Sequence, residues 1–87
     1  MTCYVDNARI PYRGMLMSHL IADSPEELEA MARELGLRPE WRQHPDTDAE
    51  HYDISDSKRQ QALRRGVKGV TSRELVRILR RRREEWG

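Results

Sequence analysis

Five side chains in this sequence are of the types that move protons or hold cations, and all five fall at the ends of short apolar runs or inside them. Asp6 closes residues 2–6, His19 and Asp23 bracket Leu20-Ile21-Ala22, and His51 and Asp53 share the run His51-Tyr52-Asp53-Ile54. Thr71 follows a fourth run, residues 67–70. Carboxylates are hard oxygen ligands, so Asp6, Asp23 and Asp53 converging on one rim would hold Mg²⁺ or Mn²⁺ while His19 or His51 moves protons. His51 and Asp53 stand at i, i+2, so a strand projects both to one face. The same residues have plain structural readings. Asp23 can assist a helix start, Asp6-Asn7 can form an Asx turn, and His51 can be a hydrogen-bonded structural histidine. No H-E-x-x-H, Walker loop or Ser-His-Asp signature fixes a reaction.

Positioning these residues falls to a β-β-α-β-α-β-α order. Residues 18–37 anchor it: an apolar strand, then Ser24 as N-cap, Pro25 at the first helical position and Glu27 completing a capping box. Leu28, Met31, Ala32 and Leu35 form one stripe of a helix over residues 25–35, and Gly36 is its left-handed stop. Residues 2–6 and 67–70 read as strands, and residues 10–14 as turn chemistry. Met15-Leu16-Met17 leads into the second strand, and residues 51–54 form the third. Ser55 or Asp56 caps a second helix to Arg65. Thr71 and Glu74 box the start of a third, with Leu75, Val76, Ile78 and Leu79 facing inward. Residues 38–50 read as a flexible loop in which Trp41 folds over the core edge. Trp86 is expected either frayed or packed on the body. Strands alternating with helices predict a small, mostly parallel four-stranded sheet with three helices, which would gather the strand-end aspartates at one crevice.

Composition narrows the classes. A chain of 87 residues makes one domain, 1–87, and with 37% hydrophobic and 36% charged residues it has few apolar side chains to spare. One cysteine, Cys3, excludes an internal disulfide and a cysteine zinc site, and its apolar setting predicts a buried, inert thiol. The absence of a long apolar run or signal layout predicts a cytoplasmic protein. The net charge of +1 hides segregation: residues 21–56 hold eleven acidic and three basic side chains, residues 57–87 eleven basic and three acidic. Arg73, Arg77, Arg80, Arg81, Arg82 and Arg83 make the C-terminal helix a surface for nucleic acid or an acidic protein, or else a solvated terminus matched to the helix dipole.

The segments YVDNARIPYRG, SHLIADSPEELEAMARELGL, HYDI followed by Lys58-Arg59, and GVKGVTSREL together resemble the bacterial and phage DUF4031 family over nearly the whole chain. The resemblance implies no reaction. It does imply that Asp6, Ser18, His19, Asp23, His51, Tyr52, Asp53 and Arg59 match recurring polar positions, which makes Ser18, Tyr52, Lys58 and Arg59 candidates for binding a ligand or phosphate. Met17 and Asn7 depart from the family pattern, which more often has an aromatic and a second Asp there. A ligand- or nucleic-acid-binding accessory role is favoured. A metal-dependent nuclease or phosphoesterase is the alternative, followed by a phage protein that sequesters a host factor.

Overall fold

The computed structural model describes residues 2–86, with Trp86 described by its backbone alone, so the expectation for its side chain lies outside the described residues. Five strands and three helices alternate as β1 (Cys3–Val5), β2 (Ile10–Tyr12), β3 (Met15–Ala22), α1 (Pro25–Glu34), β4 (Tyr52–Ser55), α2 (Asp56–Arg64), β5 (Lys68–Gly69) and α3 (Ser72–Trp86), with a 3₁₀ turn at Pro39–Trp41. The sheet is mixed, not mostly parallel, and has five strands, not four. β3 is antiparallel to β1, β2 and β4, and β1 with β5 is the parallel pair.

The expectation of parallel strands fails at Arg13-Gly14. Both residues adopt positive φ, 49° and 77°, the combination a two-residue hairpin turn requires. The chain therefore doubles back at once, and β2 pairs with β3 from Tyr12↔Met15 to Ile10↔Met17. Pro11 is tolerated there because β2 lies at an edge. β1 continues along the same edge of β3, from Val5↔Leu20 to Cys3↔Ala22, while β4 takes the other edge. Between the two pairings, residues 6–9 lie opposite only Ser18 and His19. This is a two-residue bulge, with Arg9 at φ 52°, and it turns Asp6 towards β3.

Alternation along β3 sends Leu20 and Ala22 to one face and His19 and Ile21 to the other. On the first face Val5, Leu20, Ala22, Tyr52 and Ile54 pack with Leu28, Ala32 and Leu35 from the α1 segment and with Ala62 of α2. On the second, Tyr4 and Ile21 pack with Val70 and Leu75, backed by Ile78 and Leu79 of α3. Two helices thus cover one face and a single helix part of the other.

The caps hold as the sequence specifies. Ser24 Oγ accepts from Glu27 N and donates to Glu27 Oε1 at 2.9 Å. At Thr71 the reciprocal box forms, Glu74 N donating to Thr71 Oγ1 at 3.1 Å and the Thr71 backbone N–H to Glu74 Oε1 at 3.0 Å, and Ser55, not Asp56, caps α2. Two expectations about packing do not hold. Trp41 is 51% exposed, its ring 5.7 Å from the Arg38 guanidinium, not folded over the core. Val76 is 46% exposed instead of facing inward. No helix among the described residues is long and apolar enough to cross a membrane.

Candidate functional site

The bulge between β1 and β2 creates the site. Asp6 is buried, and its Oδ1 accepts from the backbone N–H of His19 at 2.8 Å and of Ala8 at 3.3 Å. Its Oδ2 lies 2.8 Å from His19 Nδ1. From the other face of the sheet, Arg59 of α2 donates Nε to the Asp6 carbonyl at 2.9 Å and so pins the bulge. Burial alone would raise the Asp6 pKa. The bonds from the His19 ring, the His19 amide and the Ala8 amide outweigh it and hold the carboxyl below its ordinary range. The hydrogen bond with Asp6 raises the His19 pKa; burial opposes it, and the charges of Asp6 and Asp53 add to it.

Across the sheet, His19 pairs with Asp53 of β4. His51 enters from the residue before β4, where its backbone bridges Gln43 through two hydrogen bonds, and Gln43 Nε2 donates to Asp53 Oδ2. His51 Nδ1 donates to the Ala49 carbonyl at 2.8 Å. A carbonyl and an ionised carboxylate are acceptors only, so the proton of each neutral ring sits on Nδ1 and Nε2 carries a lone pair. Both Nε2 atoms face Asp53 Oδ1, His19 at 3.7 Å and His51 at 3.5 Å. The three donor atoms lie within 4.8 Å of one another.

His44 completes a run of rings. It stacks on His51 with centroids 5.8 Å apart, and His51 meets His19 edge-on at 5.4 Å. Residues 44–50 carry His44 over the site and are held from below. Glu50 is buried and accepts from the Asp46 N–H at 2.7 Å, and Asp48 pairs with Arg83 Nε at 2.7 Å. Arg82 is buried too, and burial lowers its pKa against the opposing pull of Glu50 and Asp48. The histidines open onto a cleft of about 450 Å³ whose far wall is Ile10, Ile21, Leu75, Val76 and Leu79.

The structure brings Asp6, His19, His51 and Asp53 together. It does not bring Asp23, because β3 runs antiparallel to β1 and carries Asp23 to the opposite end of the sheet. There Asp23 accepts from the Thr2 N–H and the Tyr4 hydroxyl, both at 3.0 Å. Of the expected ligand-binding residues, Ser18 and Tyr52 are buried on the covered face. Arg59 supports Asp6 from behind, and the Lys58 ammonium lies over Gly36 at the end of α1. Arg73, Arg77, Arg80, Arg81 and Arg83 are exposed along α3, whereas Arg82 is not. Cys3 is half-buried, not fully buried as expected; burial, with the nearby charges of Glu27, Asp23 and Glu34, pushes its thiol up to about 11. Sequence reasoning missed His44 and Gln43. The available signal was that the chain has three histidines, two of them seven residues apart around a loop.

Comparison with known sequences gives one family. The model of the family described as protein of unknown function (DUF4031) matches residues 3–82. No curated protein and no solved structure matches the chain.

Proposed function

The chain belongs to the DUF4031 family, whose name assigns no reaction, and we propose that it is a metal-dependent domain of hydrolytic type, with a divalent transition-metal ion held by His19, His51 and Asp53. The observation that carries this reading is the convergence of three donor atoms. Two imidazole Nε2 atoms and a carboxylate oxygen lie within 4.8 Å of one another, the nitrogens of His19 and His51 at 3.7 and 3.5 Å from Asp53 Oδ1, and a proton or a metal ion among them relieves their mutual repulsion. The outer nitrogen of each ring is already held, by Asp6 and by the Ala49 carbonyl, which is the outer shell that orients metal-ligating histidines. Donors sharing an ion at about 2.1 Å stand roughly 3.0–3.4 Å apart, so small ring rotations suffice to close the set. Two nitrogens and one oxygen favour Zn²⁺, Co²⁺ or Ni²⁺ over Mg²⁺. Asp6 acts through His19, since both its oxygens are occupied. Three protein ligands leave an open side, where such an ion activates water or polarises a carbonyl.

Titration with Co²⁺ tests the reading. The full chain is expected to develop visible d–d bands at one equivalent, and His51→Ala and Asp53→Asn are expected to lose them while keeping the native circular dichroism. Equal bands in all three proteins would remove the centre.

A second reading rests on a separate surface. The exposed arginines of α3 suit nucleic acid or an acidic protein, with binding that weakens steeply as salt rises. Changing Arg77, Arg80 and Arg81 together to Gln is expected to abolish a low-salt gel shift; a retained shift would end this reading.

A further inference from the structure

We infer that the metal centre, taken as proposed above, acts on an amphiphile: a small molecule whose oxygen-donor head completes the coordination and whose apolar body lies along the α3 wall of the cleft. Two observations carry this. The first is composition. The side chains that line the cleft beyond the histidines and Asp6 are apolar or small, and no lysine or arginine is among them. A phosphoester would leave its charge facing that wall without the cationic partners phosphate recognition uses. The arginines of α3 do not supply them, because Ser72, Leu75, Val76 and Leu79 are the α3 residues that face the cleft.

The second observation is position. Ile10 of β2 and Val76 of α3 both line the cleft and are 49% and 46% exposed. Ile10 belongs to the hairpin held out by the bulge that also sets Asp6. The bulge therefore sets both Asp6, which holds the His19 ring, and Ile10, one part of the apolar wall. A volume of about 450 Å³ is within the range of small-molecule sites.

The test uses the full chain loaded with Co²⁺ and three probes: acetohydroxamate, octanohydroxamate and inorganic phosphate. The hydroxamates share one chelating head and differ in the apolar chain. Both are expected to shift the Co²⁺ bands, with the octanoyl compound binding at least tenfold tighter, as burial of only two methylenes would give. Phosphate is expected to bind more weakly than either. In Val76→Ser and Ile10→Ser, both at exposed positions that the fold tolerates, the ratio between the two hydroxamates is expected to shrink towards one. Equal affinity of the two hydroxamates, or phosphate as the tightest probe, would overturn the amphiphile and leave the metal centre standing. Absence of Co²⁺ bands would overturn both.

Discussion

The two faces of the sheet are built from alternate residues of the same strands and are put to different uses. On the face covered by α1 and α2, Ser18, Leu20 and Ala22 of β3 and Tyr52 and Ile54 of β4 are all at most 2% exposed. On the other face α3 reaches only as far as Tyr4 and Ile21, and one step further along β3 the side chain is His19, 29% exposed. Asp53 occupies the matching place on β4 at 37%. Polar groups that would be costly inside the first face are held in hydrogen bonds on the second, where solvent and a ligand can reach them. The apolar core is concentrated on the covered face and the candidate site on the other, one residue out of step.

The largest effects should separate the faces. Leu20→Ala removes side-chain atoms from the closed face and is expected to cost about 3 kcal/mol. A domain this small has a total of order 5 kcal/mol, so most of the stability would go. His51→Ala, on the open face, is expected to cost about 1 kcal/mol or less. Urea denaturation of the two variants checks the contrast. Similar midpoints would mean that the histidine cluster is part of the core.

A smaller effect is expected where the faces communicate. Asp6 is held from the closed side by Arg59 and serves His19 on the open side. In Asp6→Asn the amide offers one acceptor and one donor in place of two acceptors, so it satisfies the His19 N–H and turns a donor towards Nδ1. The imidazole proton then moves to Nε2 and the lone pair no longer faces Asp53. A loss of about 1–2 kcal/mol in stability is expected, with metal affinity falling about 10–100-fold. An unchanged affinity, measured by calorimetry with Zn²⁺, would make Asp6 a purely structural anchor.

How much of this was legible in the sequence follows the range of the physics. The caps at Ser24, Ser55 and Thr71 and the stop at Gly36 are local chemistry, and they stand where the residue types place them. Strand direction is not local. It turned on Arg13-Gly14, where an arginine adopts positive φ that no residue preference announces. That single turn made β3 antiparallel and sent Asp23 away from Asp6. His19, His51 and Asp53 were visible as chemical types, yet what joins them is the β3–β4 register and the bulge at residues 6–9. Neither leaves a periodic trace. Val76 illustrates the same limit: its spacing fits the inward stripe of α3, but it lines the open cleft and is 46% exposed.

The subtlest prediction concerns pH, and it joins stability to the open face. In the metal-free protein the cation available to the His19–Asp6 pair is a proton. The hydrogen bond to Asp6 raises the folded pKa of His19 above its ordinary 6.5. Its contribution is therefore complete below pH 6.5 and is lost as pH rises through the raised value. Asp6 has a folded pKa below its ordinary 3.8, so its contribution is present above 3.8 and lost as pH falls through the lowered value. Metal-free stability should accordingly decline gently from pH 6.5 to 8, and the decline should vanish in Asp6→Asn. A bound metal inverts the slope. It needs the neutral imidazoles of His19 and His51, so each proton removed strengthens binding, and binding stabilises the folded state by mass action. Melting temperatures recorded over that range with and without saturating Ni²⁺ should diverge, falling with pH in one series and rising in the other. Parallel slopes would mean that the three lone pairs never share an ion, and the open face would then be polar for structural reasons alone.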